Sequence, residues 1–540
     1  MKELSKEMLL ARAASARTVA DLWMSQLQQV YELVLPNKAE FAIFRRIEGG
    51  PRTQYVFDCT AITALKRWAA NMQSMLMPNT NYWAKFRPGS KVLAPNSGID
   101  PQDAQIECDK WQKQFFTALN KSNFSNAVYQ SILEMGISTG VMLLQPGTKT
   151  DPFNFKAVPL HQVSIEQGAN DKVETVFRKY RMRAKQIYQT WPNADYTDGQ
   201  MALFEGPAND ELELIEGCVY EPQLEGKRKY CVFVMMEGFE NFIVKEYRTW
   251  SPWIVFRSSV YAAESFGRGP ILDLLPFIRE LNQLAQYDLQ AASFAANPIF
   301  LVAAGSEINP YTARISPGAI IPVQQTTPGM APISQLTIQG TPGYSQLTRQ
   351  ELVAAVHDTM NTNPIVPNTS ADKTATEVQA RQAEWLRQNQ STAARLEKEL
   401  CRQVVEKCWH IMHSFGLVPY QYINDVDITV EFESTIKDIQ GLNEVNKAVQ
   451  ASQLIAQILG PQASMAAFVQ GYKVEDVATY VLEKLDVNPK IIRDAASRAK
   501  IMQAAAQQNQ VTQAQQGAVH AQANQLKDQA QDNTQAQGQI

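Results

Sequence analysis

The chain has 540 residues, enough for about three or four ordinary domains, with 45% hydrophobic and 9% aromatic residues to fill their cores. Fifty basic residues face 54 acidic ones, a formal net charge of −4, so the composition excludes a protein built on a clustered basic surface for gripping phosphates. No run of 18 apolar residues stands in the sequence, so no membrane span is expected, and charges interrupt the N-terminal segment where a signal peptide needs an apolar centre.

In chain order, the first ~35 residues read as an amphipathic helix ending at Pro36. A second helix follows "FDCT" with Thr60 as its cap and runs to Pro78. Two more helices fill 101–120 and 123–135. From about 140 to 260 the period changes to alternation ("FNFKAVPL", "VETVFRKYRM", "KYCVFVMM", "NFIVKEYR", "WIVFRSSV"), predicting mixed sheet with turns.

"FGRGPILDLLPFIRELNQLAQYDLQAASFAANP" opens at a Gly-Arg-Gly turn with Pro270 at the helix start. Leu274, Ile278, Leu281, Ala285, Leu289 and Ala292 recur at helical spacing as one apolar seam. Roughly 26 residues at 1.5 Å each predict a rod of about 40 Å. Short Pro- and Gly-rich strands occupy 298–342, and "YSQLTRQELVAAVHDTM" returns as a second helix, making a helical hairpin with a head. A helix of about 40 residues then runs from Thr374 to Gly416, and short helices fill 436–500. Residues 501–540 are rich in Gln and Ala, with too little apolar surface to fold alone. The fold class is therefore α+β, mainly helical.

The interruption between hairpin and long helix is built into the sequence. Thr374 and Glu377 fit the S/T-x-x-E capping box, and Asn363-Pro364 and Val366-Pro367 turn the chain away from helix. Residues 361–373 read as a deliberate loop.

Candidate chemistry is sparse. "GISTG" matches G-x-S-x-G around Ser138, but a helix enters and a strand leaves, the reverse of a nucleophile turn, which favours a helix stop of small residues. His410 and His413 stand near Cys401 and Cys408 without a second pair at ligand spacing, so helix packing is expected, not a metal. The six cysteines (59, 108, 218, 231, 401, 408) are scattered, as in a reducing cytosol, and "GTKT" lacks the rest of a phosphate loop. The basic runs "RKYRMRAK" and "EGKRKY" read as solvated faces of a strand-rich region. No catalytic residue, metal or cofactor is assigned.

The order of several landmarks carries more information. "RTVADLWM" through "YELVLP", then "FDCTAITALKRWAANMQSMLMPNTNYWAKF", then "FGRGP" before a long helix and "TATEV" opening another, resemble the portal (head-to-tail connector) proteins of short-tailed podovirus phages. The likeness runs from residue 12 to about 500, and Cys59 stands where that family often has a small residue such as serine. The resemblance implies a portal-type protomer in a ring oligomer of about twelve subunits at one capsid vertex, with double-stranded DNA passing through it. It implies a wing (1–265 and 374–435), a stem helical hairpin (266–297 and 343–360), a strand-rich clip (298–342), a tunnel loop (361–373), a helical crown (436–500) and a C-terminal tail (501–540), either a helical barrel or disordered. The implied partners are the terminase large subunit, the tail adaptor protein, and the major capsid, scaffolding and internal core proteins, in the virion and in the host cytoplasm during assembly.

On this reading Asn363, Asn368, Thr369, Ser370 and Lys373 lie nearest the duplex. Asp273, Glu280, Asp288, Glu351 and Asp358 give the hairpin a negative charge suited to a bore that repels its cargo, since phosphate contacts would slow sliding. Two other readings stay open. One is an oligomeric capsid scaffold that never contacts DNA; the other, against the order of elements around Ser138, is a serine hydrolase.

Overall fold

The computed structural model describes residues 4–38, 53–78, 82–92, 101–168, 171–206, 210–224, 228–296, 300–302, 333–335, 342–360, 362, 390–419 and 428–432. The chain divides into two units, Met1–Thr435 and Ile436–Ile540, and all described residues fall in the first.

Helix α1 spans Lys6–Val34 and is capped by Ser5, whose hydroxyl accepts from the Met8 amide. Helix α2 is Thr60–Leu76, α3 is Pro101–Lys121 and α4 is Phe124–Ile137. Strand β1 (Ala84–Pro88) lies between α2 and α3. After α4 come β2 (Thr139–Pro146), β3 (Phe153–Ala157), β4 (Val163–Gln167) and β5 (Val173–Arg183). Two short helices, α5 (Ala184–Thr190) and α6 (Asp198–Glu205), precede β6 (Glu211–Tyr220), β7 (Tyr230–Met236), β8 (Phe242–Arg248) and β9 (Trp253–Arg257).

β4 to β8 form an antiparallel five-stranded sheet in sequential order. Alternation works as predicted, because side chains on a strand face opposite sides in turn. One face packs Phe177, Phe233 and Met235 against Leu9 and Ala16 of α1. The other packs Tyr180, Leu214, Val234 and Met236 against Ile187 and Phe204 of α5 and α6. A second antiparallel sheet has the order β3-β2-β9 and rests on α4.

The hairpin helices are α7 (Pro270–Asp273), α8 (Leu275–Ala296) and α9 (Pro342–Thr359). The single helix expected from 270 is broken at Leu274. Pro276 supplies the reason: it has no N–H to give to the carbonyl four residues back, so the first turn cannot run straight on. In the head, β10 (Phe300–Val302) pairs antiparallel with β11 (Ile333–Gln335), and the rest of that segment lies outside the described residues.

Of the long helix, the described part begins with α10 (Gln390–Leu396), passes through a π-helical turn at Glu397–Cys401, and continues as α11 (Arg402–Ser414). Gly416 ends it at φ +70°. Its amide goes to the His413 carbonyl and that of Leu417 to Met412, the paired bonds of a Schellman stop. Strand β12 (Ile428–Phe432) returns to pair with β1, where Trp83 and Phe86 pack among Phe115, Phe116 and Trp409.

Candidate functional site

The hairpin leaves the body of the protein at a crossing of two sequence motifs. Ser138, just past α4, donates its hydroxyl to the Gly267 carbonyl at 2.7 Å, and Thr139 Oγ1 accepts from the Gly267 amide at 2.9 Å. The Gly269 amide donates to the Ile137 carbonyl at 3.0 Å. A Cβ on Gly269 would stand 2.1 Å from the Gly136 oxygen, so only glycine lets the two backbones touch. "GISTG" and "FGRGP" are therefore two halves of one joint. The Ser138 hydroxyl is spent on this joint and is fully buried. Beside it Arg268 pairs with Glu264 and stacks over Trp23, centroid distance 5.0 Å.

A second anchor holds the hairpin from the side. Asn282 of α8 accepts from the Phe57 and Asp58 amides at 2.7 and 3.3 Å and donates to the Tyr55 carbonyl at 2.9 Å. Asp58 Oδ1 accepts from the Thr60 amide at 2.8 Å, and Oδ2 accepts from Arg349 of α9 at 2.9 Å. One short segment thus ties both hairpin helices to the start of α2. Thr60 is the first helical residue and not the cap; the preceding aspartate covers its amide. Burial acts to raise the Asp58 carboxyl, but the bonds from Thr60 and Arg349 outweigh it and hold the group below its usual range.

The inner half of the predicted seam is buried: Leu274, Ile278, Leu281 and Ala285. The outer half is not. Leu289 is 59% exposed and Ala292 is also exposed, beside Tyr287 and Phe294 on α8 and Leu347 on α9. Among the described residues those positions join no buried cluster.

The five carboxylates are spread along the hairpin and do not converge. Asp273, Glu280, Glu351 and Asp358 are exposed, while Asp288 is half-buried and accepts from Ser345 at 2.8 Å, joining α8 to α9. Asn363, Asn368, Thr369, Ser370, Lys373, Thr374 and Glu377 lie outside the described residues.

Among the described residues the other sequence candidates are placed in packing or pairing roles. His410 stacks on Trp250 at 5.7 Å, and His413 Nδ1 lies 3.1 Å from the Val418 carbonyl. Cys401 and Cys408 are buried, and burial pushes both thiols up. Among the described residues no group of three or more His, Cys, Asp or Glu is placed to hold a metal, and no helix is long and apolar enough to cross a membrane. The basic run on β5 is answered by acids: Arg178 pairs with Glu216, Lys179 with Glu213 and Glu237, and Arg181 with Glu213. Hydrogen bonds to Glu213 bring its carboxyl down to about 2. Arg178 is buried, while Lys179 and Arg181 are exposed, so the run is an acid-paired solvated face of the sheet, as expected.

Sequence reasoning missed Asp58, Asn282 and Arg349. Only the "FDCT" landmark pointed there, through an Asp two residues ahead of a helix start.

Comparison with known proteins decides the family. A family described as "Bacteriophage head to tail connecting protein" matches residues 6–525. The chain belongs to that head-to-tail connecting family. As a head-to-tail connector it is a phage portal, the class that the order of sequence landmarks indicated. A "Probable portal protein" of Bordetella phage BPP-1 is 19% identical over 534 residues, covering 95% of this chain and 93% of that one. The connector is also similar to a chain of the "Virion of native gene transfer agent (GTA) particle" (10% identity, TM-score 0.36, covering 79% of this chain and 94% of that one). A chain from the "Neck of empty GTA particle computed with C6 symmetry" aligns at 8% identity and TM-score 0.36, covering 78% and 93%. The family match over residues 6–525 makes the chain a head-to-tail connector, and within it the described residues anchor the hairpin at two points.

Proposed function

We propose that this connector assembles as a ring, of about twelve copies, at one vertex of a short-tailed phage capsid, and that double-stranded DNA enters and leaves through its centre. The family match over residues 6–525 carries the reading. The hairpin supports it physically. Large apolar side chains at Tyr287, Leu289, Phe294 and Leu347 stand exposed on one chain, and a surface of that kind is stable when a neighbouring copy covers it.

In this reading 1–265 and 374–435 form the wing, 266–297 and 343–360 the stem, 298–342 the clip, 436–500 the crown and 501–540 a tail that extends it. The clip docks the terminase large subunit and later the tail adaptor; the major capsid, scaffolding and internal core proteins surround the rest. Asp273, Glu280, Asp288, Glu351 and Asp358 keep the stem negative, so the duplex meets repulsion in place of phosphate contacts that would hold it. Asn363, Asn368, Thr369, Ser370 and Lys373 form the polar, sequence-blind contact in the loop.

Negative-stain imaging of the purified protein tests the assembly. Rings with a central hole wide enough for a duplex are expected. Monomers or filled discs would overturn it.

A further inference from the structure

β9 is an end strand, bonded to β2 on one side only. In an antiparallel ladder alternate residues turn both backbone polar groups to the same side. The Leu144 amide takes the Pro252 carbonyl from the β2 side, so Trp253, Val255 and Arg257 present theirs to the opposite, open edge. An open edge of this kind is a template for another strand.

Among the described residues no strand covers it. The long helix lies along the edge and offers three side chains four residues apart. Glu399 Oε2 accepts from the Arg257 amide at 2.9 Å, Gln403 Nε2 donates to the Val255 carbonyl at 3.4 Å, and Lys407 Nζ donates to the Trp253 carbonyl. The rungs are linked, since Lys407 also donates to Gln403 at 2.7 Å and the Arg257 guanidinium pairs with Glu399 at 2.9 Å.

The match has a geometric basis. Four helical residues rise about 6.0 Å and two strand residues about 6.6 Å, so a helix laid antiparallel to a strand can meet every second residue. An α-helix alone would rotate its every-fourth row off the strand. Glu399 sits in the π turn Glu397–Cys401, whose wider i→i+5 loop slows that rotation. Lys407 is 91% buried by the complement of its 9% exposure, on a surface that a leucine would fill without desolvating an amine. Its use is the carbonyl it satisfies.

The strand beneath is strongly pairing. "WIVFR" is wholly buried, aromatic and β-branched, and carries no charge before Arg257. Two copies of it would meet antiparallel about Val255, each supplying what the other lacks.

We propose that β9 is a strand-acceptor edge held shut by the ladder Glu399–Gln403–Lys407, and that the partner it excludes is β9 of a second copy of this chain. This does not depend on the portal assembly, because the ladder closes within one protomer.

The test uses the full-length protein at one concentration in five forms: parent, Glu399→Ala/Gln403→Ala/Lys407→Met, the same triple variant with Val255→Pro, Glu399→Ala alone and Glu399→Gln alone. Sedimentation and thioflavin T fluorescence are expected to show at least a tenfold gain of large β-paired assemblies in the triple variant. Val255→Pro, which removes an outward amide without touching the β2 bonds, returns them to the parent level. In Glu399→Ala the Arg257 amide exchanges with solvent at least tenfold faster, and in Glu399→Gln it stays protected. A triple variant that sediments as the parent, assembly unaffected by Val255→Pro, or unchanged exchange at Arg257 would each overturn the proposal.

Discussion

Asp58 and Arg349, separated by 291 positions in the chain, meet at 2.9 Å, and the same carboxylate caps α2 through its other oxygen. This pair, with Asn282 beside it, fixes both arms of the hairpin to one point of the body. Two anchors hold the hairpin's angle to the body where a single hinge would let it swing.

Asp58→Ala removes a helix cap worth about 1 kcal/mol and an ion pair whose arginine is 41% exposed, worth about 0.5–1 kcal/mol after solvent screening. Urea unfolding should show a loss of about 2 kcal/mol, and Arg349→Gln a smaller one. Since the Asp58 carboxyl is held below its unfolded value, its contribution is present above the ordinary carboxylate pKa and lost as pH falls through the folded one. The gap between parent and Asp58→Ala should therefore narrow in acid.

At the joint of the two glycine motifs, Ser138→Ala leaves the buried Gly267 carbonyl without its donor. We expect a loss of about 1–2 kcal/mol in denaturant unfolding. Gly269→Ala drives a methyl to 2.1 Å from a backbone oxygen that no rotamer can move, so it should cost more than the typical ~1 kcal/mol and abolish soluble expression. Background ester hydrolysis should be the same in Ser138→Ala as in the parent protein.

Glu134 lies wholly buried at the junction of α1 and α4, taking the Tyr31 hydroxyl and facing Lys38 at 3.3 Å. Burial pushes its carboxyl up to about 8, against the pull of the Leu160 amide. The folded state then holds a proton that the unfolded chain releases near the ordinary value of about 4.3. Stability should fall as pH rises from there to about 8, and Glu134→Gln should flatten the dependence. Thermal melts between pH 5 and 9, overlaid for the two proteins, measure this; parallel curves would contradict it.

Deleting residues 364–369 tests the proposed tunnel loop. Assembled rings that fail to package or retain DNA are expected, scored by nuclease-protected genome per particle. Normal packaging would remove the loop from the mechanism.

How much of this was legible in the sequence differs from one element to the next. The 3.6-residue period marked α1, α2, α4 and the hairpin helices, and alternation marked the five-stranded sheet, because each pattern reports which face is buried. Gly416 announced its own helix stop. The break at Leu274 follows from Pro276, a local signal inside an otherwise continuous apolar seam. The family landmarks were legible as an ordered series, while the contacts that give them work were not.

By itself the sequence determined the elements and the family: local periodicity, proline and glycine placement, and the order of motifs are properties of neighbouring residues. Only the tertiary structure decided that Ser138 would spend its hydroxyl on Gly267, that Asp58 would clamp Arg349, and that Glu399, Gln403 and Lys407 would close a strand edge. The physical reason is the same in each case. A long-range hydrogen bond needs two groups brought within about 3 Å, and no pattern along the chain encodes which distant backbone will be left open to receive it.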